Sequence, residues 1–294
     1  MRVLFATTAN DGHFGPLVPL ARAFASAGHD VGVAAPKSFE ATVTRAGLTH
    51  RPFADAPPEL IGPVMARLPT LSFQEADNLV VREVFGRIDA QAALPGVTAA
   101  IEEWRPDLLL REPAEFGSLA AAERAGVPHL QVAVGMAEVG RLIAALVAEP
   151  LAELGALAGV HDGSLADAAL AEPTLTSVPE DLDRAGDDRD PSSALFRFRD
   201  ESPPVTTEPL PEWGDPAAPL VYLTFGSVAG SLPPFSGSYR AALEATADLP
   251  IRVFMTLGRR LDPAGLGPLA RNARAVAWWP QSAVLAQASA VWGH

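Results

Sequence analysis

The chain has 294 residues, of which 48% are apolar and 19% are charged, so it can bury a substantial core and is not disordered overall. Its net charge of −13 argues against binding to nucleic acid or to an anionic membrane surface, because both are themselves negatively charged. The sequence contains no cysteine, which excludes a disulfide framework and thiolate chemistry.

Neither a secretion signal nor a membrane span is expected from the sequence. The first apolar run is short and is followed by the polar residues Thr7 and Thr8. The longest uncharged stretch, residues 216–239, contains four prolines and three glycines and is therefore unsuited to a membrane helix. These features predict a cytoplasmic protein.

The first 35 residues predict a strand, a loop, a helix and a second strand. Residues 3–6 form a short apolar run, an amphipathic helix follows Pro16, and residues 30–35 form the second apolar run. This order is typical of a doubly wound parallel sheet, in which ligands bind beyond the carboxyl ends of the strands.

The loop between this first strand and helix contains His13. It has only Gly12 and Gly15, so it lacks the three-glycine fingerprint of a dinucleotide-binding loop. Position alone leaves two interpretations of His13: a histidine that helps to cap the helix, or a general base that faces the ligand crevice.

Strand and helix patterns continue to alternate along the chain, which predicts a parallel sheet with helices on both faces. An alanine- and leucine-rich helix is predicted to bury one apolar face as core. That face comprises Val139, Leu142, Ile143, Leu146 and Val147. Further helices are predicted over 38–46 and 116–125, and strands over 48–53, 107–110 and 128–134. The segment 61–104 is predicted to be mostly helical, with breaks at the prolines 63, 69 and 95.

An acidic, turn-rich segment over 180–192 contains two D-x-D pairs, Asp181/Asp183 and Asp188/Asp190. Some metal-dependent sugar transferases hold a cation with such a pair. No buried strand precedes these residues, so a solvated loop is the favoured interpretation, and no metal site is predicted.

A proline-rich stretch divides the chain. We predict one domain over 1–198, a linker over 199–219 and a second α/β domain over 220–294, with strands near 220–225, 251–257, 275–278 and 290–292. Only 75 residues follow the linker, which is short for a domain. The expectation is therefore a chain truncated within its second domain.

Several segments resemble the family-1 glycosyltransferases of the GT-B fold, and in particular bacterial enzymes that decorate natural products such as macrolide antibiotics. The segments are GHFGPLVPLARAFASAGHDV, PDLLLREPAEFGSLAAAERAGVPHL, PLVYLTFGSVAG and WWPQSAVLAQASAVWGH. The resemblance covers nearly the whole chain and implies two Rossmann-like domains with parallel sheets, the second of them incomplete.

This resemblance implies that His13 is the general base that deprotonates the acceptor hydroxyl. It also implies that an acidic residue orients the histidine. Glu112 occupies the matching position, where the family more often has aspartate, and Glu115 is the alternative partner. A different interpretation of Glu112 is a loop carboxylate paired with Arg111.

The resemblance assigns the nucleotide-sugar donor to the second domain. Trp278 matches the aromatic residue that stacks on the base, Gln281 contacts the nucleoside, and Ser227 and His294 reach the diphosphate. Trp279 fills a variable position and is compatible with plain core. No metal and no resident cofactor are implied.

The acceptor is expected to lie against the first domain, with Phe73, Phe85, Phe116 and Met136 as candidate lining residues and a core role as their alternative. The sequence therefore predicts an inverting glycosyltransferase that moves a sugar from a UDP- or TDP-sugar to a hydroxyl of a small hydrophobic aglycone. Because the predicted truncation removes part of the diphosphate site, we expect no transfer from the 294-residue chain itself. The alternatives are a non-catalytic acceptor-binding protein and a nucleotide-sugar epimerase of the same fold.

Overall fold

A computed structural model describes residues 1–160, 164–183, 194–199, 209–227, 229, 236–258 and 261–293. The chain divides into two compact units, Met1–Asp200 and Glu201–His294. Each unit is built on a parallel sheet, which confirms the predicted α/β class.

The first unit contains a seven-stranded parallel sheet in the order β3-β2-β1-β4-β5-β6-β7. The strand order reverses between β1 and β4, which pair directly with each other. This reversal is a topological switch point, and the carboxyl ends of β1 and β4 border the crevice that forms there. The strands are β1 (Arg2–Ala6), β2 (Asp30–Pro36), β3 (Thr49–Phe53), β4 (Leu108–Arg111), β5 (His129–Val132), β6 (Thr174–Thr176) and β7 (Leu195–Arg197).

Helices cover both faces of this sheet. The helices are α1 (Asp11–Phe14), α2 (Leu17–Ser26), α3 (Glu40–Arg45), α4 (Pro58–Arg67), α5 (Phe73–Leu79), a π-helix (Val80–Asp89), α6 (Ala90–Trp104), α7 (Phe116–Ala125), α8 (Ala137–Leu146), α9 (Ala148–Ala158) and α10 (Leu165–Ala171). Short 3₁₀ turns lie at Lys37–Phe39 and Leu68–Thr70.

The alternation of side chains along β1 divides the core of the first unit into two layers. Leu4 faces a cluster formed with α6, α7 and α9, whereas Val3 and Phe5 face a cluster formed with α2 and α3. The sheet is therefore buried on both sides, as an all-parallel sheet requires.

Three predictions about the helices were wrong. His13 lies in the one-turn helix α1 and not in a loop. Pro63 and Pro95 lie inside α4 and α6 and do not end them, although each proline removes one backbone hydrogen-bond donor. On α8, Val139 and Leu142 are 39% and 63% exposed and do not belong to the core.

The second unit contains a four-stranded parallel sheet in the order β10-β9-β8-β11. Trp213, which the sequence placed in the linker, packs on Phe254 of this unit and donates a hydrogen bond to the carbonyl of Asn272. The elements are β8 (Leu220–Thr224), α11 (Ser236–Thr246), β9 (Arg252–Thr256), a 3₁₀ turn (Pro263–Leu266), β10 (Ala273–Val276), α12 (Gln281–Leu285) and β11 (Ala290–Trp292).

Within the part of the chain that the structure describes, no helix is both long enough and apolar enough to cross a membrane.

Candidate active site

His13 is held at the switch point by the one-turn helix α1. The side-chain oxygen of Asn10 accepts a hydrogen bond from the backbone N–H of Gly12 (2.9 Å). The backbone carbonyl of Asn10 accepts from the N–H groups of His13 and Phe14. Phe14 is buried and anchors the turn to the core. The backbone of His13 is thus fixed directly beyond the carboxyl end of β1.

Glu112 directly follows β4 and meets His13 across the switch point. Its Oε2 atom lies 2.8 Å from Nδ1 of His13, and its side chain is completely buried. Oε2 also accepts from the N–H of Ala114 (2.7 Å), and Oε1 accepts from the N–H of Thr8 (3.1 Å). The structure therefore brings together the two residues predicted as base and acidic partner.

Glu115, the alternative partner, is bonded elsewhere. Its carboxylate accepts hydrogen bonds from the N–H groups of Gly117 (3.0 Å) and Ser118 (2.9 Å), which caps the amino end of α7. In this arrangement Glu115 stabilises the helix that follows the loop, and Glu112 contacts His13.

Arg111 does not pair with the Glu112 carboxylate, so that interpretation was wrong. Its Nη2 and Nε atoms donate to the two oxygens of Glu172 at 2.6 and 3.3 Å, and both side chains are buried. Its Nη1 donates to the backbone carbonyls of Glu112 (3.2 Å) and Pro113 (3.3 Å). Arg111 thus fixes the main chain of the loop that carries Glu112.

The environment keeps Glu112 ionised and His13 basic. Burial by itself would raise the pKa of Glu112, but the adjacent His13 and the N–H donors of Ala114 and Thr8 together lower it. Burial would likewise lower the pKa of His13, but the charge and hydrogen bond of Glu112, with a contribution from Asp89, raise it. An ionised carboxylate can only accept, so Nδ1 of His13 carries the hydrogen of this contact.

A cavity of about 250 Å³ lies near this pair, although neither His13 nor Glu112 is among its lining residues. Phe85 lines it, and its ring centroid lies 5.5 Å from that of the His13 ring. The other lining residues come from the ends of β1, β2 and β3 and from the surrounding helices. They are Thr8, Ala9, Asn10, Pro36, Phe53, Ala54, Asp55, Ala56, Ile61, Val84, Asp89, Ala93 and Glu115.

Sequence reasoning missed Asp89, which lines this cavity at the end of the π-helix. Burial, followed by the nearby charges of Glu115 and Glu112, raises its pKa to about 7. A signal was present in the sequence, because Asp89 lies four residues before the buried Ala93 and eight after the buried Val81. A carboxyl group in a helical row of apolar residues is unusual and points to a special environment.

The four predicted acceptor residues have different positions. Phe85 lines the cavity. Phe116 is 1% exposed and packs in the core below Arg111, so the lining prediction was wrong for it. Phe73 and Met136 are 69% and 53% exposed and are not among the residues that line this cavity.

The described donor-side residues share one edge of the second sheet. Ser227 follows β8, whereas Trp278 and Gln281 follow β10, and both strands are parallel, so all three residues lie beyond carboxyl ends. All three are exposed. Trp279 is partly buried and packs against Phe254. His294 lies outside the described residues.

Asp183 of the first D-x-D pair has a structural partner. Its carboxylate accepts a hydrogen bond from the N–H of Ala137 at 3.0 Å, at the start of α8, and lies 3.7 Å from Arg197. Asp188 and Asp190 lie outside the described residues. Among the residues that are described, no group of three or more His, Asp or Glu side chains could hold a metal ion.

Comparison with known proteins identifies the family. Residues 22–189, more than half of the chain, match the model of the erythromycin biosynthesis protein CIII-like N-terminal domain. The chain belongs to this family. It is 35% identical to the L-demethylnoviosyl transferase of Streptomyces niveus, over 77% of this chain and 57% of that protein. It is 28% identical to the TDP-daunosamine transferase DnrS of Streptomyces peucetius, over all of this chain and 75% of that protein.

The fold agrees with this family assignment. The crystal structure of the glycosyltransferase SnogD from Streptomyces nogalater superimposes with a TM-score of 0.73 at 26% identity, over all of this chain and 76% of that chain. The chain thus has the GT-B type of fold and spans between 57% and 76% of the length of these three relatives.

Proposed function

We propose that the protein is an inverting glycosyltransferase that moves a sugar from a nucleoside diphosphate to a hydroxyl group of a small apolar acceptor. The observation that carries this proposal is the His13–Glu112 pair at the switch point, next to a mostly apolar cavity. The names of the relatives support transfer over the epimerase alternative, and the name TDP-daunosamine transferase supports a TDP-sugar as the donor.

In the proposed reaction, His13 removes the proton of the acceptor hydroxyl. Its Nδ1 already carries a hydrogen and donates it to Glu112, so Nε2 is the nitrogen that receives the new proton. The acceptor oxygen forms a bond to the anomeric carbon while the bond from that carbon to the diphosphate oxygen breaks, and the diphosphate leaves with the electron pair. A single displacement, in which the acceptor attacks the face of the anomeric carbon opposite the leaving diphosphate, inverts the anomeric configuration.

Glu112 stabilises the imidazolium that this step creates. The carboxylate is buried, ionised and fixed by two backbone N–H donors, so it meets the positive charge without reorganising. It plays the part of the aspartate in a serine-protease triad, which orients the histidine and does not itself become protonated.

On the donor side, we propose that Trp278 stacks on the base, Gln281 contacts the nucleoside, and Ser227 and His294 bind the diphosphate. The common carboxyl edge of β8 and β10 supports this for the three described residues. The cytoplasmic location of the activity remains a prediction of the sequence.

The test is a transfer assay with the protein expressed from its complete reading frame. A panel of α-linked TDP- and UDP-hexoses is incubated with 2-naphthol, and the product is analysed by mass spectrometry and proton NMR. A β-linked naphthyl glycoside is expected. A retained α-linkage, or cleavage of the donor with no transfer to the hydroxyl across the panel, would contradict the proposal.

A further inference from the structure

The acceptor cavity is apolar in most of its lining but carries three acidic side chains. These are Asp55, Asp89 and Glu115, and the lining contributed by the described residues includes no lysine or arginine. Burial raises the pKa of both Asp89 and Glu115, so the cavity is most negative above about pH 7, where Asp89 is ionised, and a negatively charged ligand is disfavoured there.

Two of these carboxylates already have strong hydrogen-bond donors. Asp55 accepts from the backbone N–H of Ser38 at 3.2 and 3.3 Å, and also from its hydroxyl. Glu115 caps α7 through the N–H groups of Gly117 and Ser118. Neither needs a ligand to satisfy its oxygens.

Asp89 differs from both, because its carboxylate receives no hydrogen bond from the described part of the chain. Asp89 is half-buried and lines the cavity, so a ligand there can donate a hydrogen bond to its carboxylate and gains the net free energy of that bond. The hydroxyl of Thr8, which lines the same cavity, is also buried and without a partner among the described residues.

Asp89 is also close to the proposed base. Its charge contributes to the pKa of His13, and Phe85, one turn earlier in the π-helix, touches the His13 ring and lines the cavity. Asp89 and His13 are therefore linked through Phe85 and through the charge of Asp89, which places the Asp89 end of the cavity in the neighbourhood of the proposed base. π-Helical segments are uncommon and are frequently found at functional sites.

We propose that Asp89 selects the acceptor by binding a hydrogen-bond donor on it, a hydroxyl or an amine, and that the acidic cavity rejects anionic acceptors. This inference rests on the proposed function, since it assigns the cavity to the acceptor. The substrate class is a small, mostly apolar molecule without negative charge, with a donor group that reaches the end of the π-helix.

The test compares four probes of nearly equal size by isothermal titration calorimetry with the 294-residue chain. They are 2,6-dihydroxynaphthalene, 6-methoxy-2-naphthol, 6-aminomethyl-2-naphthol and 6-hydroxy-2-naphthoate, each of which keeps one hydroxyl for His13. At pH 8, where Asp89 is ionised, we expect 2,6-dihydroxynaphthalene to bind about tenfold more tightly than 6-methoxy-2-naphthol, which lacks the second donor, and 6-hydroxy-2-naphthoate to bind most weakly. The order of 2,6-dihydroxynaphthalene and the amine tells whether a neutral or a cationic donor is preferred, and either order supports the proposal.

Asp89→Leu should abolish the preference for 2,6-dihydroxynaphthalene and increase the affinity for 6-hydroxy-2-naphthoate. Asp89→Asn keeps an accepting oxygen without the charge, so it should retain the preference for 2,6-dihydroxynaphthalene and lose any preference for the amine. Asp77→Asn, an exposed charge on α5, is the matched control and should leave all four affinities unchanged. Circular dichroism checks that each variant is folded.

The inference is overturned if wild type binds 2,6-dihydroxynaphthalene and 6-methoxy-2-naphthol equally, or if Asp89→Leu leaves their ratio unchanged. No sugar is transferred in this experiment, so its failure is distinct from failure of the proposed function. A protein that glycosylates 2-naphthol but shows no dependence on Asp89 would retain the function and lose only this inference.

Discussion

Replacing Glu112 with glutamine removes the charge of the buried carboxylate while keeping its size. The oxygens of Glu112 receive three hydrogen bonds, from Nδ1 of His13 and from the N–H groups of Thr8 and Ala114. The amide of glutamine has only one accepting oxygen, so its NH₂ group must face at least one of these donors. Both the counter-charge and the orientation of His13 are disturbed.

The magnitude follows from the charged hydrogen bond that is lost. A hydrogen bond to a charged group contributes about 1.5–3 kcal/mol, and the charge on His13 exists only once it has taken the proton. Losing that stabilisation corresponds to a decrease of about 10- to 150-fold in kcat. The pKa of His13 should fall below its ordinary value of 6.5, because burial then acts without the charge of Glu112.

Two measurements check this prediction. Proton–nitrogen NMR of the imidazole gives the pKa of His13, with Glu115→Gln as a control that removes a neighbouring buried carboxylate not bonded to the ring. In the pH–rate profile, the acid limb should move to lower pH, because the neutral base persists to lower pH, while the maximal rate falls. An unchanged pKa with kcat within a few-fold of wild type would refute the role of Glu112.

Three further predictions concern stability. Arg111→Met leaves Glu172 buried without its arginine and should lower the free energy of unfolding in urea by about 3–5 kcal/mol. The double variant Arg111→Met/Glu172→Leu should recover much of this loss, and a single variant as stable as wild type would contradict the pairing. The folded pKa of Asp89, about 7, lies above its ordinary value of 3.8, so stability falls as pH rises through this range. Asp89→Asn should therefore raise the free energy of unfolding more at pH 8 than at pH 5, by at most about 4 kcal/mol because solvent screens part of the effect, and Tm measured at the two pH values should follow. A gain that is independent of pH would refute this. Gly258→Ala should destabilise the second unit by about 1–3 kcal/mol in thermal unfolding, because φ is +86° and the new Cβ would lie 2.7 Å from a backbone oxygen. Gly237→Ala on α11 is the control, since its Cβ meets no atom within 4 Å, and equal effects of the two substitutions would contradict backbone strain at Gly258.

Local patterns were sufficient for the elements that position the site. The apolar runs at β1 and β4 predict two strands of one parallel sheet, and residues that directly follow such strands lie at the same edge. This is why the pairing of His13 with Glu112 was accessible from the sequence, with the family resemblance supplying their roles. Gly126, with φ of +67°, ends α7 as its position after the helix indicates.

Other features depend on contacts between distant residues. Arg111 and Glu172 are 61 positions apart and meet only once β4 and the segment after α10 are in place, so the local sequence offered the adjacent Glu112 as an alternative partner and gave no indication of Glu172. Phe85 and Phe116 look alike in the sequence, yet one lines the cavity and the other lies in the core. The apolar residues of α8 satisfy a helical period, and yet Leu142 is exposed. A helical period shows that one face of a helix is apolar, but it does not show whether another element packs on that face.

The central claim is that His13 takes the proton of the acceptor hydroxyl. The most direct measurement is kcat for sugar transfer by His13→Ala in the protein expressed from its complete reading frame, compared with His29→Ala, which lies before β2 at the opposite edge of the sheet. The account predicts a decrease of about 10²- to 10⁴-fold for His13→Ala, an unchanged dissociation constant for the nucleotide-sugar, and no change for His29→Ala. Turnover by His13→Ala within a few-fold of wild type would contradict the account.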